Sequence, residues 1–231
     1  CLVGSEMRIR DSQKTFEKFG GGLSKDNWRR SNCDSIIVDI NTAIKQTNPR
    51  VKFGISPFGV WRNKSQDPMG SNTKAGQTNY DDLYADILLW LSKGWIDYVT
   101  PQLYWERGHS LADYDVLLKW WNENGYGKHI YIGHGIYRGG SNDAWKNKNQ
   151  IPEQIQALRK YPTTQGSIYF SSKTFEKNPN GWNDSLRNNY YHHPALVPPM
   201  PWINNDAPDQ PNIAQESNTA EISYNGHLKI R

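Results

Sequence analysis

Hydrophobic positions along this chain follow two periods that alternate. Trp28, Cys33, Ile36, Ile37, Ile40 and Ile44 fall at helical spacing, with Asp26 ahead as an N-cap and Asn48-Pro49 behind as a stop. That pattern predicts an amphipathic helix over about 27–47. The stretch before it, 1–25, is charged, has no period, ends in Gly20-Gly21-Gly22 and reads as loop. From Val51 onward a strand-then-helix unit repeats. Short apolar runs at 51–55, 95–103, 130–133 and 167–170 read as strands. Helical patterns follow at 80–91 (Leu83, Tyr84, Ile87, Leu88, Leu91), 111–124 (Tyr114, Leu117, Leu118, Trp121), 152–160 (Ile155, Leu158) and 182–191. Gly94, Gly125 and Gly127 punctuate them, and Pro152 suits a first helical turn.

A helix followed by four strand–helix units predicts an α/β domain with a parallel sheet and right-handed crossovers. Connections after the strands are long (56–79, 104–110, 134–149) and those before them short. This is the length distribution of a (β/α)8 barrel, whose chemistry sits on the loops after the strands. Eight strands close such a barrel. The expectation is therefore the C-terminal half of a (β/α)8 TIM barrel over residues 1–205, with four strands upstream of Cys1. A complete four-stranded open sheet is the alternative. Residues 206–231 change character. Asp206 to Pro211 reads as a linker, Glu221 to Tyr224 as a strand, Asn225-Gly226 as a turn and Leu228 to Ile230 as a second strand. Together they suggest the first hairpin of a truncated β-sandwich module.

Composition narrows the function classes. The net charge of +4 is thin and the basic residues are scattered, which argues against a nucleic-acid partner. No apolar run approaches the ~20 residues of a membrane span. The chain opens on Cys1 without a basic, apolar leader, as a processed chain or an internal fragment would. Two cysteines exclude a disulfide scaffold and a cysteine-rich zinc site. His192 and His193 are adjacent and cannot face one metal from a helix. No metal site and no cofactor is expected. Ten Trp and thirteen Tyr among 231 residues is a high aromatic load. It fits either an aromatic-rich core or a cleft that stacks aromatic plates on sugar rings.

The predicted strand ends carry large hydrogen-bonding groups. After the first come Ser56, Trp61, Arg62 and Asn63; along and after the second, Gln102, Tyr104, Trp105 and Glu106; after the third, His134 and Tyr137; after the fourth, Ser171. Gln102 and Asn63 suit sugar hydroxyls or an N-acetyl group, and Tyr104, Trp105 and Trp61 suit a sugar face. Tyr137 and Ser171 would line the far wall. Arg62 suits a substrate carboxylate or its own loop, and His134 suits a structural hydrogen bond as readily as substrate. Asp97 lies early in its strand, on the face of a barrel given to stability. Asp67, Asp81, Asp82 and Asp86 are explained by capping. Glu106 is the candidate acid or base at the rim.

The runs Phe53-Gly-Ile-Ser-Pro-Phe-Gly-Val-Trp-Arg-Asn63 and Gly94-Trp-Ile-Asp-Tyr-Val-Thr-Pro-Gln-Leu-Tyr-Trp105 resemble the glycosyl-hydrolase-like family 10 of bacterial cell-envelope proteins. Trp28-Arg-Arg-Ser-Asn32, Trp120-Trp121 and Tyr131-Ile-Gly-His134 fit as well, so the resemblance runs from about Ser12 to Trp202. It implies a TIM-barrel glycosidase acting on bacterial cell-wall or other N-acetylated glycan, in the envelope or secreted. It also implies an acidic motif at a strand end upstream of this chain, so the principal catalytic carboxylates are expected outside it. A non-catalytic carbohydrate-binding protein on the same frame is the alternative.

Overall fold

The computed structural model describes residues 13–205 and the backbone of Asn212–Glu216 and Thr219–Ser223. The first element is one the hydrophobic pattern does not reveal. Gln13–Phe19 (α1) is helical inside the stretch expected to be loop. A tertiary contact explains it: the Phe16 ring lies 5.5 Å from that of Trp28, so the helix is set by packing against its neighbour. Helix α2, Lys25–Thr47, covers the expected range, but its N-cap is Ser24, whose side chain accepts from the Asn27 amide, and the expected cap Asp26 lies inside the first turn.

Four strands follow, β1 (Gly54–Ile55), β2 (Tyr98–Val99), β3 (His129–His134) and β4 (Thr164–Tyr169), parallel and in the order β1-β2-β3-β4. Gln102 extends β2 through isolated bridges to Phe58 and Gly133. The expected helix 80–91 divides into α3 (Asn79–Asp82) and α4 (Ile87–Ser92). Thr78 caps the first and Asp86 caps the second, and between them Tyr84 takes a left-handed φ of 53°. Two side-chain caps in one segment define two helices. Helix α5 (Tyr114–Glu123) begins three residues later than the pattern suggests, because the Asp113 carboxylate accepts from the Asp115 amide and starts it there. Then come α6 (Asp143–Lys146), α7 (Gln150–Leu158), α8 (Ser172–Glu176) and α9 (Trp182–Ser185), the last running on as a wider turn over Leu186–Tyr190.

Pleating sends alternate strand residues to opposite faces. Val99, Leu103, Ile130 and Ile132 pack into a core with Leu117, Leu118 and Trp121 of α5 and Ile87, Leu88 and Leu91 of α4. A second core joins Ile136, Trp145, Ile151, Ile155, Trp182 and Leu186, with Tyr169 of β4 against it. The other face carries Tyr98 and Tyr131, edge to face at 5.7 Å, and Ile168, which is 47% exposed. A Cβ on Gly54 would sit inside the Tyr98 ring, so glycine there lets Tyr98 lie flat across the sheet. Among the described residues the helices thus cover one face only. That is how a strand–helix barrel is layered, and unlike a doubly wound sheet. The arrangement is consistent with part of a (β/α)8 barrel.

The sheet has a free edge at β1. Phe53 and Ile55 carbonyls accept from the Asp97 and Thr100 amides of the β2 segment at 2.6 and 2.8 Å, so the polar backbone of Gly54 faces away. Beside it, Ile36 and Ile40 of α2 are 47% and 42% exposed, which departs from the buried apolar face the periodicity implies. Nothing among the described residues covers them. A cleft of about 870 Å³ opens there, lined by Ile36, Ile37, Ile40, Ile55 and Phe58 and by the polar Ser56 and Gln102. Asp97 holds the opposite end of the sheet. Its Oδ2 accepts from the Phe53 amide (2.8 Å) and Lys45 Nζ (2.7 Å), and its Oδ1 from Trp202 Nε1 (3.1 Å).

Strands β5 (Asn212–Glu216) and β6 (Thr219–Ser223) pair antiparallel, Asn212 opposite Ser223. The strand expected at 221–224 is therefore present in part, but its partner lies before it in sequence. The expected linker at 206–211, the Asn225-Gly226 turn and the strand at 228–230 lie outside the described residues.

Candidate functional site

The loop after β1 is a preorganised block. Asn63 is buried at its centre: Nδ2 donates to Gln66 Oε1 (3.1 Å) and to the Ala75 carbonyl (2.9 Å), while Oδ1 accepts from Thr73 Oγ1 (2.8 Å) and the Ala75 amide (2.9 Å). Both ends of that amide are thereby used. Arg62 is equally engaged. Its Nε and Nη2 reach the two oxygens of Asp81 at 2.9 and 2.8 Å, and Nη1 reaches Asp67 at 2.9 Å. The hydrogen bond with Asp81, opposed by partial burial, raises its pKa further. Trp61 is buried, donates to Asp86 Oδ1 at 3.3 Å and stacks at 6.0 Å on Trp120. The neighbouring Trp120 and Trp121 then donate to the Met69 and Gly59 carbonyls, each at 2.8 Å, and fasten the loop to α5.

The loop after β2 is tied to the next one. Trp105 packs edge-on against Phe58 at 5.3 Å, and its carbonyl accepts from Gln154 Nε2 at 3.1 Å. Both oxygens of Glu106 have donors, Trp145 Nε1 at 2.8 Å and Asn142 Nδ2 at 3.3 Å. His134 is fully buried on the helix side, its ring between those of Tyr114 and Tyr169. The Gln154 amide nitrogen already donates to Trp105, so its oxygen faces His134 Nδ1 (2.9 Å), which carries the proton. Nε2 then accepts from Ser167 Oγ at 3.1 Å. Burial lowers the His134 pKa to about 4.

A second group of nominated residues does converge, at the carboxyl ends of the strands. Gln102 Nε2 donates to Ser56 at its carbonyl (3.1 Å) and Oγ (3.3 Å), bridging β1 and β2. Tyr104 follows β2 and Tyr137 lies in the single turn Ile136–Arg138 after β3; their rings meet edge to face at 5.8 Å. Glycine at 135 permits this, because a Cβ there would lie 3.0 Å from the Tyr104 side chain. Partial burial, then Tyr137, raises the Tyr104 pKa. Ser171 follows β4 as the N-cap residue of α8, its carbonyl accepting from the Thr174 amide at 2.9 Å. Phe170, one residue before it, joins this group although its place in an apolar strand run marks it as core. Phe170 is 57% exposed, 6.1 Å from Tyr104 and 5.9 Å from Tyr137. The alternation Ser167, Ile168, Tyr169, Phe170 was the available signal: it puts Phe170 on the face opposite Tyr169. Among the described residues there is no cluster of His, Cys, Asp and Glu able to hold a metal ion, and no helix long and apolar enough to cross a membrane.

Parallel strands with helices on one face are those of an α/β protein and are consistent with part of a (β/α)8 barrel. The chain belongs to the glycosyl hydrolase-like 10 family, whose profile matches residues 8–152. It is similar to the glycosyl hydrolase YngK of Bacillus subtilis (strain 168), 46% identical over 209 residues that cover 88% of this chain and 41% of that protein. It is also similar to the glycosyl hydrolase DigH of Escherichia coli (strain K12), 38% identical over 180 residues, 74% of this chain and 40% of that one. The chain thus spans about two fifths of the length of these curated relatives.

Proposed function

We propose that this chain is the C-terminal half of a (β/α)8 barrel and supplies one wall of a glycan cleft in a glycoside hydrolase of the bacterial envelope or secreted space. The substrate is an N-acetylated glycan, with cell-wall strands the natural candidate. Membership in a hydrolase family supports the reaction class. The carrying observation is the convergence of Ser56, Gln102, Tyr104 and Tyr137 on the end of the sheet where barrel enzymes place their chemistry. The uncovered β1 edge and the length of the relatives support completion of the barrel by residues outside this chain.

Glycosidic cleavage usually takes two carboxylates, ~5–5.5 Å apart with retention or ~6.5–9.5 Å with inversion, one as acid and the other as nucleophile or base. In this reading both come from outside the chain. The carboxylates after its own strands are occupied: Asp67 and Asp81 by Arg62, and Glu106 by Trp145 and Asn142. Glu106 then serves to hold the rim. Arg62, Asn63, Trp61 and Trp105 fix the loops, His134 sets the end of β3, and Ser171 starts α8. A carbohydrate-binding protein without catalysis is the second reading, favoured by that same occupancy of the chain's carboxylates.

The test uses the full-length protein with peptide-free, N-acetylated glycan strands, followed by mass spectrometry. Shorter saccharides with new reducing ends are expected, and Glu106→Gln should keep turnover within about tenfold, less than the loss expected of a residue doing general acid–base work. Retention on the glycan without products would favour the binding protein. Loss of turnover beyond about a hundredfold in Glu106→Gln, with the fold intact, would make Glu106 the acid or base.

A further inference from the structure

We infer that Phe170, with Tyr104 and Tyr137, forms the platform on which the apolar face of one pyranose ring of the glycan rests. The inference depends on the glycan reading above and names the residues that carry its stacking. Trp61, the first tryptophan nominated for that role, is buried at 5% exposure, and Trp105 is engaged by Phe58. What stands open at the carboxyl ends of the strands is a different set. Phe170 is 57% and Tyr137 49% exposed, with Tyr104 half-buried beside them.

Their geometry is that of a plate with a wall. The Phe170 ring stacks on that of Tyr104, 26° from parallel with centroids 6.1 Å apart, so Tyr104 backs the exposed Phe170 plate, while Tyr137 stands at 85° to Tyr104 and 86° to Phe170. The backbone beneath is fixed, since the Phe170 amide continues the ladder to the His134 carbonyl at 2.9 Å. No hydrogen-bond partner is found for the Tyr104 and Tyr137 hydroxyls among the described residues, and Gln102 and Ser56 lie on the same end of the sheet. A pyranose offers the matching surfaces, an apolar C–H face toward aromatic plates and hydroxyls at its edge. An aliphatic ligand would leave the two phenols unpaired, and a flat charged one would gain nothing from Phe170.

The rival origin for an exposed phenylalanine is packing against the rest of the barrel, so the variants separate aromatic face from apolar bulk. In the full-length protein, Phe170→Leu keeps bulk without the plate, Phe170→Tyr keeps the plate, and Phe170→Ala removes both. KM and kcat on peptide-free glycan strands are read together with Tm. We expect Phe170→Leu and Phe170→Ala to raise KM by about three- to tenfold, the size of an aromatic face contact, with kcat nearly unchanged. Phe170→Leu should keep the wild-type Tm and Phe170→Tyr the wild-type KM. A wild-type KM in Phe170→Leu overturns the platform, whatever the alanine variant does to Tm. Should the protein bind without cutting, retention on immobilised glycan replaces KM: release of Phe170→Leu upholds the platform while the hydrolase reading falls, and equal retention overturns the platform. A protein that neither cuts nor holds glycan overturns both.

Discussion

His134 shows how a residue that looks like chemistry from the sequence is spent on the frame. It ends a strand, beside loops rich in polar groups, yet its ring is sealed between Tyr114 and Tyr169 and both nitrogens are satisfied by Gln154 and Ser167. Burial holds its pKa at about 4, against about 6.5 in an unfolded chain. Above pH 6.5 both states are neutral and the full stability is present. Between 6.5 and 4 the unfolded chain takes up a proton that the folded one refuses, so stability falls as pH falls; below 4 both are protonated and the loss is complete. A gap of that size corresponds to about 3 kcal/mol. Denaturant titrations from pH 7 to pH 4 should show that decline, and His134→Gln, whose amide can donate to Gln154 and accept from Ser167, should flatten it. An identical decline in the variant would assign the effect elsewhere. The same sorting applies to Arg62 and Asn63. The sequence placed them correctly in the loop after β1, but their partners Asp81, Asp67, Thr73 and Ala75 become visible only when the loop is folded.

At the scale of elements, α2 and all four strands were legible from periodicity, and so was the placement of long loops after them. Several things were not: α6 falls inside the stretch 134–149 expected to be loop, and α8 falls where no element was expected. The short α1 depends on a tertiary contact of Phe16 with Trp28, and the break between α3 and α4 depends on competing caps at Thr78 and Asp86. Composition left open whether the tryptophans serve a core or a cleft. Most serve as staples: Trp90 donates to Asp34, Trp145 to Glu106, Trp182 to the Lys148 carbonyl and Trp202 to Asp97. Trp121 is the clearest case, wholly buried and bonded to Gly59 across the loop that precedes α3. Trp121→Phe should cost about 2–4 kcal/mol, from lost volume and a buried carbonyl left unpaired. Equilibrium unfolding would read it, and a loss under about 0.5 kcal/mol would mean the loop is held by something other than this staple.

Four strand–helix units do not close a barrel, and the exposed Ile36, Ile40 and Ile168 are the surfaces that inference would leave uncovered. Phe170 itself went unmarked because an apolar residue in an apolar strand run looks like core, and only the folded sheet tells which face is bare. The central claim is that the completed protein hydrolyses a glycan held against this end of the sheet. Hydrolysis places one solvent oxygen on each new reducing end, so the most direct measurement is digestion of peptide-free glycan strands by the full-length protein in heavy-oxygen water, with mass analysis of the fragments. New reducing ends that each carry one heavy oxygen are the result this account predicts. Fragments whose new ends carry no label, or strands that stay intact, would contradict it.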